Sequence, residues 1–96
     1  MNTVSLADLA PEGREPVFEA PYTVAVGLDA GETIPKHRHA GQDITLVVHD
    51  GELELTVGQE TATLGAGEAA AFDGDDGVSV TATADTQALV VFSDRD

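Results

Sequence analysis

The chain has 96 residues, with 18 acidic side chains against four basic ones, a net charge of −14 and a pI near 4.1. That length accommodates one domain, and so negative a surface repels nucleic acid and anionic membranes. No cysteine is present, which excludes disulfides, zinc ribbons, thiol nucleophiles and iron–sulfur clusters.

Disorder is the first expectation for an acidic chain, but 42% hydrophobic residues in alternating runs argue against it. From the N-terminus, Ser5 followed by Leu6-Ala-Asp-Leu9 predicts one short helical turn. Ser5 can cap it, Val4 can staple against Leu9, and Pro11 stops it. This stretch has no basic start and no long apolar core, so no signal peptide is read. The longest apolar run, from Ala88 to Phe92, is too short to cross a bilayer, and a cytoplasmic protein is expected.

The remainder reads as strands. In Tyr22–Leu28 the apolar residues fall at 22, 24, 26 and 28, a period of two. Residues 44–48 form a β-branched run expected to be buried on both faces. In Glu52–Val57, Leu53, Leu55 and Val57 alternate with Glu52, Glu54 and Thr56. Short strands follow at 61–64 and 68–72, Val78 and Val80 alternate with Ser79 and Thr81, and 87–92 closes the set. The breaks at Asp29-Ala-Gly31, Asp50-Gly51, Gly65-Ala-Gly67 and Asp73-Gly-Asp-Asp-Gly77 are turn compositions. Asp50-Gly51 is the pair favoured in a type I′ hairpin. About eight short strands with no helical period beyond the first turn predict an all-β sandwich or barrel in a single domain. A chain this short buries a modest share of its surface, so a homodimer is the default expectation.

His37 and His39 lie two apart beside Pro35, at the edge of a strand-like segment. On a strand such residues share a face, so both imidazoles can chelate one Fe, Mn, Ni, Cu or Zn ion. The alternative is that Lys36-His37-Arg38-His39 is a solvated basic turn attracting nearby carboxylates. His49, just before a turn, reads as a surface residue. Asp43 shares its strand parity but stands about 20 Å from it in extended chain. Asp73, Asp75 and Asp76 can be an oxygen cluster for Ca²⁺ or Mg²⁺, or simply a solvated acidic turn. No serine sits in an elbow-type motif, and no Gly-rich loop opens a helix.

Gly31, five residues, His37-Arg-His39, a short acidic stretch, a β-branched strand and Gly51-Glu-Leu-Glu-Leu together resemble the first motif of the cupin superfamily. Leu64-Gly-Ala-Gly67-Glu-Ala-Ala-Ala-Phe72 resembles the start of the second, and the likeness spans roughly residues 22–92. It implies a small antiparallel β-barrel, a double-stranded β-helix or jelly roll, with a divalent metal inside held by two histidines, a glutamate and a third histidine. His37 and His39 match the first two. For the acidic ligand, counting from the second histidine gives Asp43, whereas counting back from the glycine gives Ile44. Either a bulge turns Asp43 inward, or an apolar side chain takes the place; Gln42 is a further candidate oxygen donor. The third histidine is expected near residue 77, where this chain has Gly77.

The resemblance implies a small-molecule ligand or substrate and, for an enzyme, oxygenase, isomerase or lyase chemistry. The competing expectation is a metal-free, non-catalytic binding or sensing barrel, for which Gly77 speaks. An interior lined by Ile44, Leu46, Val48, Leu53 and Leu55 would suit a small, weakly polar ligand. The composition, with one lysine and much Asp, Glu, Ala, Val, Thr and Gly, resembles proteins of salt-accumulating archaea. Because the acids are spread along the chain, a halophilic surface is preferred to a dedicated acidic partner site.

Overall fold

A computed structural model describes residues 1–9 and 13–94. A 3₁₀ turn at Leu6–Asp8 is followed by nine strands: β1 Gly13–Glu19, β2 Tyr22–Leu28, β3 Thr33–His37, β4 Gln42–Asp50, β5 Glu52–Val57, β6 Glu60–Gly65, β7 Ala69–Asp73, β8 Val78–Ala82 and β9 Thr86–Asp94. They form two antiparallel sheets of order β1-β2-β9-β4-β7 and β3-β8-β5-β6. The all-β, antiparallel class expected from the pattern is the one observed.

The period of two accounts for the packing. On β5, Leu53 and Leu55 are buried while Glu52 and Glu54 are exposed. On β4, Ile44, Leu46 and Val48 are buried, but Thr45 is exposed and Val47 only half-buried. The expectation that this run is buried on both faces is corrected accordingly: one face packs inward. A core around Leu46, Val48, Leu53 and Leu55 fills one end of the space between the sheets, and Val24, Ile44 and Phe92 form a smaller group. Val26, Phe72 and Val90 pack against both.

Only β1–β2 and β5–β6 are hairpins, with loops at Ala20-Pro21 and Gly58-Gln59. Every other connection carries the chain from one sheet to the other. Asp50-Gly51 is therefore a corner between sheets and not the expected hairpin turn, since β4 pairs with β7 and β9 whereas β5 pairs with β6 and β8. Gly51 has φ +88°, and a Cβ there would overlap the Asp85 carbonyl oxygen and Thr86. Thr86, 2% exposed, ties this corner together: its hydroxyl accepts from the Glu52 N–H at 3.1 Å and lies 2.9 and 2.8 Å from the Glu52 and Ala84 carbonyls.

Two further expectations change. The Ser5 side chain does not cap the first turn; its carbonyl accepts from the Asp8 N–H at 3.0 Å. Val4 is exposed, and Leu9 with Leu6 instead borders a shallow hollow beside Ala25 and Leu89 on the outer face of the larger sheet. Strand β1, absent from the sequence expectation, adds the outermost strand to that sheet.

The Gly51 corner can be tested against Gly31, which has a matching φ of +89° but open space around it. Gly31→Ala should cost about 1–2 kcal/mol from left-handed backbone alone. Gly51→Ala should cost about 1–3 kcal/mol more because backbone must move to admit the methyl, measured as the difference in urea unfolding free energies.

Candidate ligand and metal site

The site begins with an irregularity in β3. Thr33 pairs with Thr81 and Ile34 with Val80, but the next pair is His37 with Val78. Three steps on β3 therefore match two on β8, and the extra residue falls at Pro35-Lys36. Without that bulge His37, three positions after Ile34, would face away from the interior. With it, both Ile34 and His37 line the cavity between the sheets. Pro35 is tolerated because β3 is an edge strand and owes no ladder bond on its free side.

The His37 Nδ1 lies 2.8 Å from the Pro35 carbonyl. A carbonyl only accepts, so Nδ1 is the donor, and in the neutral ring this leaves the lone pair on Nε2, the tautomer suited to a ligand role. The strand ends at His37, and His39 stands in the loop that follows. The shared orientation of the two imidazoles was expected from strand parity; the structure achieves it by a different route. The His39 N–H donates to the Gly74 carbonyl at 2.7 Å, and the Gly74 N–H donates to the Gln42 carbonyl at 2.8 Å. Gly74 is buried, and a Cβ on it would overlap the carbonyl oxygens of His39 and Gln42. This backbone clamp brings the His39 ring to 4.7 Å from the His37 ring, nearly perpendicular to it.

The other face of the mouth is aromatic. The Phe92 ring lies 5.0 Å from His39 and 5.6 Å from Tyr22 between centroids. The Arg14 guanidinium carbon, reaching in from β1, stands 6.0 Å from the Phe92 centroid. Behind this mouth lies a cavity of about 80 Å³ with walls that include Val26, Leu28, Leu46, Leu55, Val80 and Val90. Among the described residues its polar lining consists of Arg14, His37, His39 and Thr86. Of the interior expected from sequence, Ile44, Leu46, Leu53 and Leu55 line the cavity and Val48 is fully buried in the core behind it.

The His39 pKa is held below its ordinary value, first by burial and then by the neighbouring His37 and Arg14. A neutral imidazole is the form that coordinates metal or hydrogen-bonds a ligand without a proton to lose.

The other sequence candidates are placed elsewhere. β4 runs in unbroken register against β7 from Asp43 to Val47, and against β9 from Gln42 to Val48, so no bulge turns Asp43 inward. Ile44, 3% exposed, takes the inward place, and Asp43 is exposed on the opposite face. Gln42 donates through Nε2 to Asp94 Oδ1 at 2.9 Å and does not line the cavity. The structure brings together His37 and His39, but not Asp43 or Gln42 with them. Gly77 is buried under the Lys36 side chain, and the inward residue beside His37 is Val78. His49 is exposed at the outer hollow beside Leu6 and Leu9. In the acidic turn, Asp75 Oδ1 accepts from the Gly41 N–H and Asp73 Oδ1 from the Asp75 N–H, so two of the carboxylates order backbone. Among the described residues no group of three or more His, Asp or Glu is placed to share one ion.

Arg14 is the charged cavity residue that the sequence reading did not single out. Its signal was scarcity: it is one of four cations in a chain of net charge −14.

The chain matches the family model of the cupin domain over residues 24–93, and it belongs to that family. Among solved structures, it is similar to the TT1209 protein of Thermus thermophilus, with 28% identity, a TM-score of 0.85 and full coverage of both chains. It is similar to KdgF from a Halomonas species, with 26% identity and a TM-score of 0.78 over 86% of this chain and 80% of that one. A conserved protein of unknown function, SPY1581 of Streptococcus pyogenes, shares the fold at 24% identity and a TM-score of 0.73. That match takes in 78% of this chain but 65% of the streptococcal one, so this chain spans under two thirds of that relative's length. A search of curated proteins gives no match. No helix among the described residues is long and apolar enough to cross a membrane.

The lowered His39 pKa gives a pH prediction. Below its unfolded value of 6.5 the unfolded chain takes up a proton that the folded site resists. That part of the stability is present above the unfolded value and is lost as pH falls from there through the folded pKa. Wild type should therefore lose stability relative to His39→Gln between about pH 7.5 and about pH 5.5, measured by paired urea titrations; parallel profiles would contradict it.

Proposed function

We propose that this cupin binds a small organic molecule inside its barrel, and that His37 and His39 anchor a divalent transition metal at the cavity mouth. The observation that carries the reading is the edge-to-face pair of imidazoles at the mouth of a mostly apolar cavity, with the His37 Nδ1 turned to the Pro35 carbonyl. The donor set fits an Fe, Mn, Ni, Cu or Zn ion held by two protein nitrogens, with further positions open to ligand and solvent. When bound, such an ion supplies Lewis acidity toward a ligand oxygen. The chain's own residues do the remainder. Pro35 orients His37, the Gly74 clamp holds His39, and the apolar walls exclude water from the ligand's body. Oxygenase, isomerase or lyase chemistry on a small organic substrate is the class this arrangement would serve.

A second reading has its own observation. Ile44 and Val78, the inward residues nearest the histidine pair in the ladder, are both apolar. With no third protein ligand there among the described residues, the barrel works as a metal-free binding or sensing module. Elemental analysis by plasma mass spectrometry separates the two, on untagged wild type and the His37→Ala/His39→Ala variant. Near-stoichiometric metal that is lost in the variant is the expected result. No bound metal, and none taken up on titration, would leave the metal-free barrel.

The acidic surface is read as a salt adaptation. Among the described residues every Asp and Glu is exposed except the half-buried Asp73, so self-repulsion is unscreened in dilute buffer. Circular dichroism should show partial unfolding in dilute buffer that molar potassium chloride reverses. Full folding at both salts would remove the halophile reading. A homodimer in a soluble, cytoplasmic setting completes the proposal, and light scattering at high salt reads its mass.

A further inference from the structure

We propose that the cavity selects a small monocarboxylate, holding the carboxylate at the mouth on Arg14 and seating the hydrocarbon body among the apolar walls. This inference rests on the reading of the cavity as a ligand site, but not on any metal.

Four observations converge on this ligand. First, Arg14 lines the cavity in a chain that has few cations, although acidic residues outnumber basic ones several-fold and are available for pairing over the rest of the surface. Its recorded contact is with the Phe92 ring, and among the described residues no hydrogen bond or ion pair of its side chain is found. A guanidinium over a ring keeps its N–H donors, which lie in its own plane, for a planar acceptor, and a carboxylate matches that fork.

Second, the neighbouring polar groups suit an anion. The His39 ring stands at the same mouth and carries an N–H donor, and among the described residues no acidic side chain lines the cavity to compete for Arg14. Third, the interior is apolar down to Thr86, whose hydroxyl is engaged with Glu52 and Ala84. A second charge on the ligand would be buried there without a partner, which disfavours dicarboxylates. Inorganic phosphate would gain nothing from walls such as Leu46, Leu55 and Val90. Fourth, about 80 Å³ of space corresponds to about five to eight water-sized positions. That is room for a carboxylate and a few carbons.

Butyrate and its neutral isostere butyramide are the test pair. Each is titrated into ¹⁵N-labelled full-length protein in the presence of EDTA, and binding is read from amide shifts. The expected result is shifts at cavity strands β4 and β9, with butyrate bound about tenfold or more tighter than butyramide. Arg14→Gln should abolish that preference while leaving butyramide within about twofold, and Arg14→Lys should recover part of it. Arg14 is exposed on an edge strand, so both variants should fold; if one does not, the wild-type preference alone decides. Equal binding of acid and amide, with cavity amides shifting, would overturn the carboxylate inference and leave the ligand site standing. No shift with either compound would overturn the ligand site and the inference with it.

Discussion

The structure depends on the contact between two apolar sheet faces in a molecule whose surface repels itself. With a net charge of −14 and the described acids at or near the surface, cohesion has to come from the interior. Leu53, Val24 and Val48, with at most 1% of their surface exposed, mark where that contact is tightest. The inward side chains of β4 and β5 meet because the chain turns a corner at Asp50-Gly51, where Thr86 stitches strands of opposite sheets. A side chain at residue 51 would force that corner open.

The candidate site is the place where this packing stops. The main core and the smaller group around Val24, Ile44 and Phe92 are joined by Val26, Phe72 and Val90, and the cavity occupies the space the two groups leave. Its polar groups arrive from chain segments at the sheet margins. Arg14 comes from the edge strand β1, His37 from the end of the edge strand β3, and His39 from the loop beyond it. Such positions can present polar side chains to a cavity without taking them wholly out of water, which keeps the desolvation cost low. The same logic explains the bulge at Pro35-Lys36: an edge strand can gain a residue without breaking a ladder on both sides.

Much of the architecture was legible where the pattern was strong. Tyr22–Leu28 and Glu52–Val57 are read with their observed bounds because two-residue alternation has one physical solution beside a core. β1 was not legible, since Arg14, Glu15 and Pro16 give an edge strand no alternating apolar face. Asp50-Gly51 was legible as a turn but not as a corner, because a left-handed glycine serves both. Asp43 and Ile44 show the limit most sharply: two motif counts disagreed by one residue, and ladder register alone decides which side chain faces in.

By itself, then, the sequence determined an all-β, strongly acidic chain of cupin type and singled out the pair His37 and His39 as its candidate site. These follow from composition and short-range periodicity, which act within a few residues. Tertiary structure alone decided that β4 presents Ile44, that Val78 stands beside His37, and that Arg14 joins the two histidines at one mouth. Each of these depends on register or on contacts between distant segments. Such contacts are set by how the two sheets close over a shared interior, and no local pattern records it.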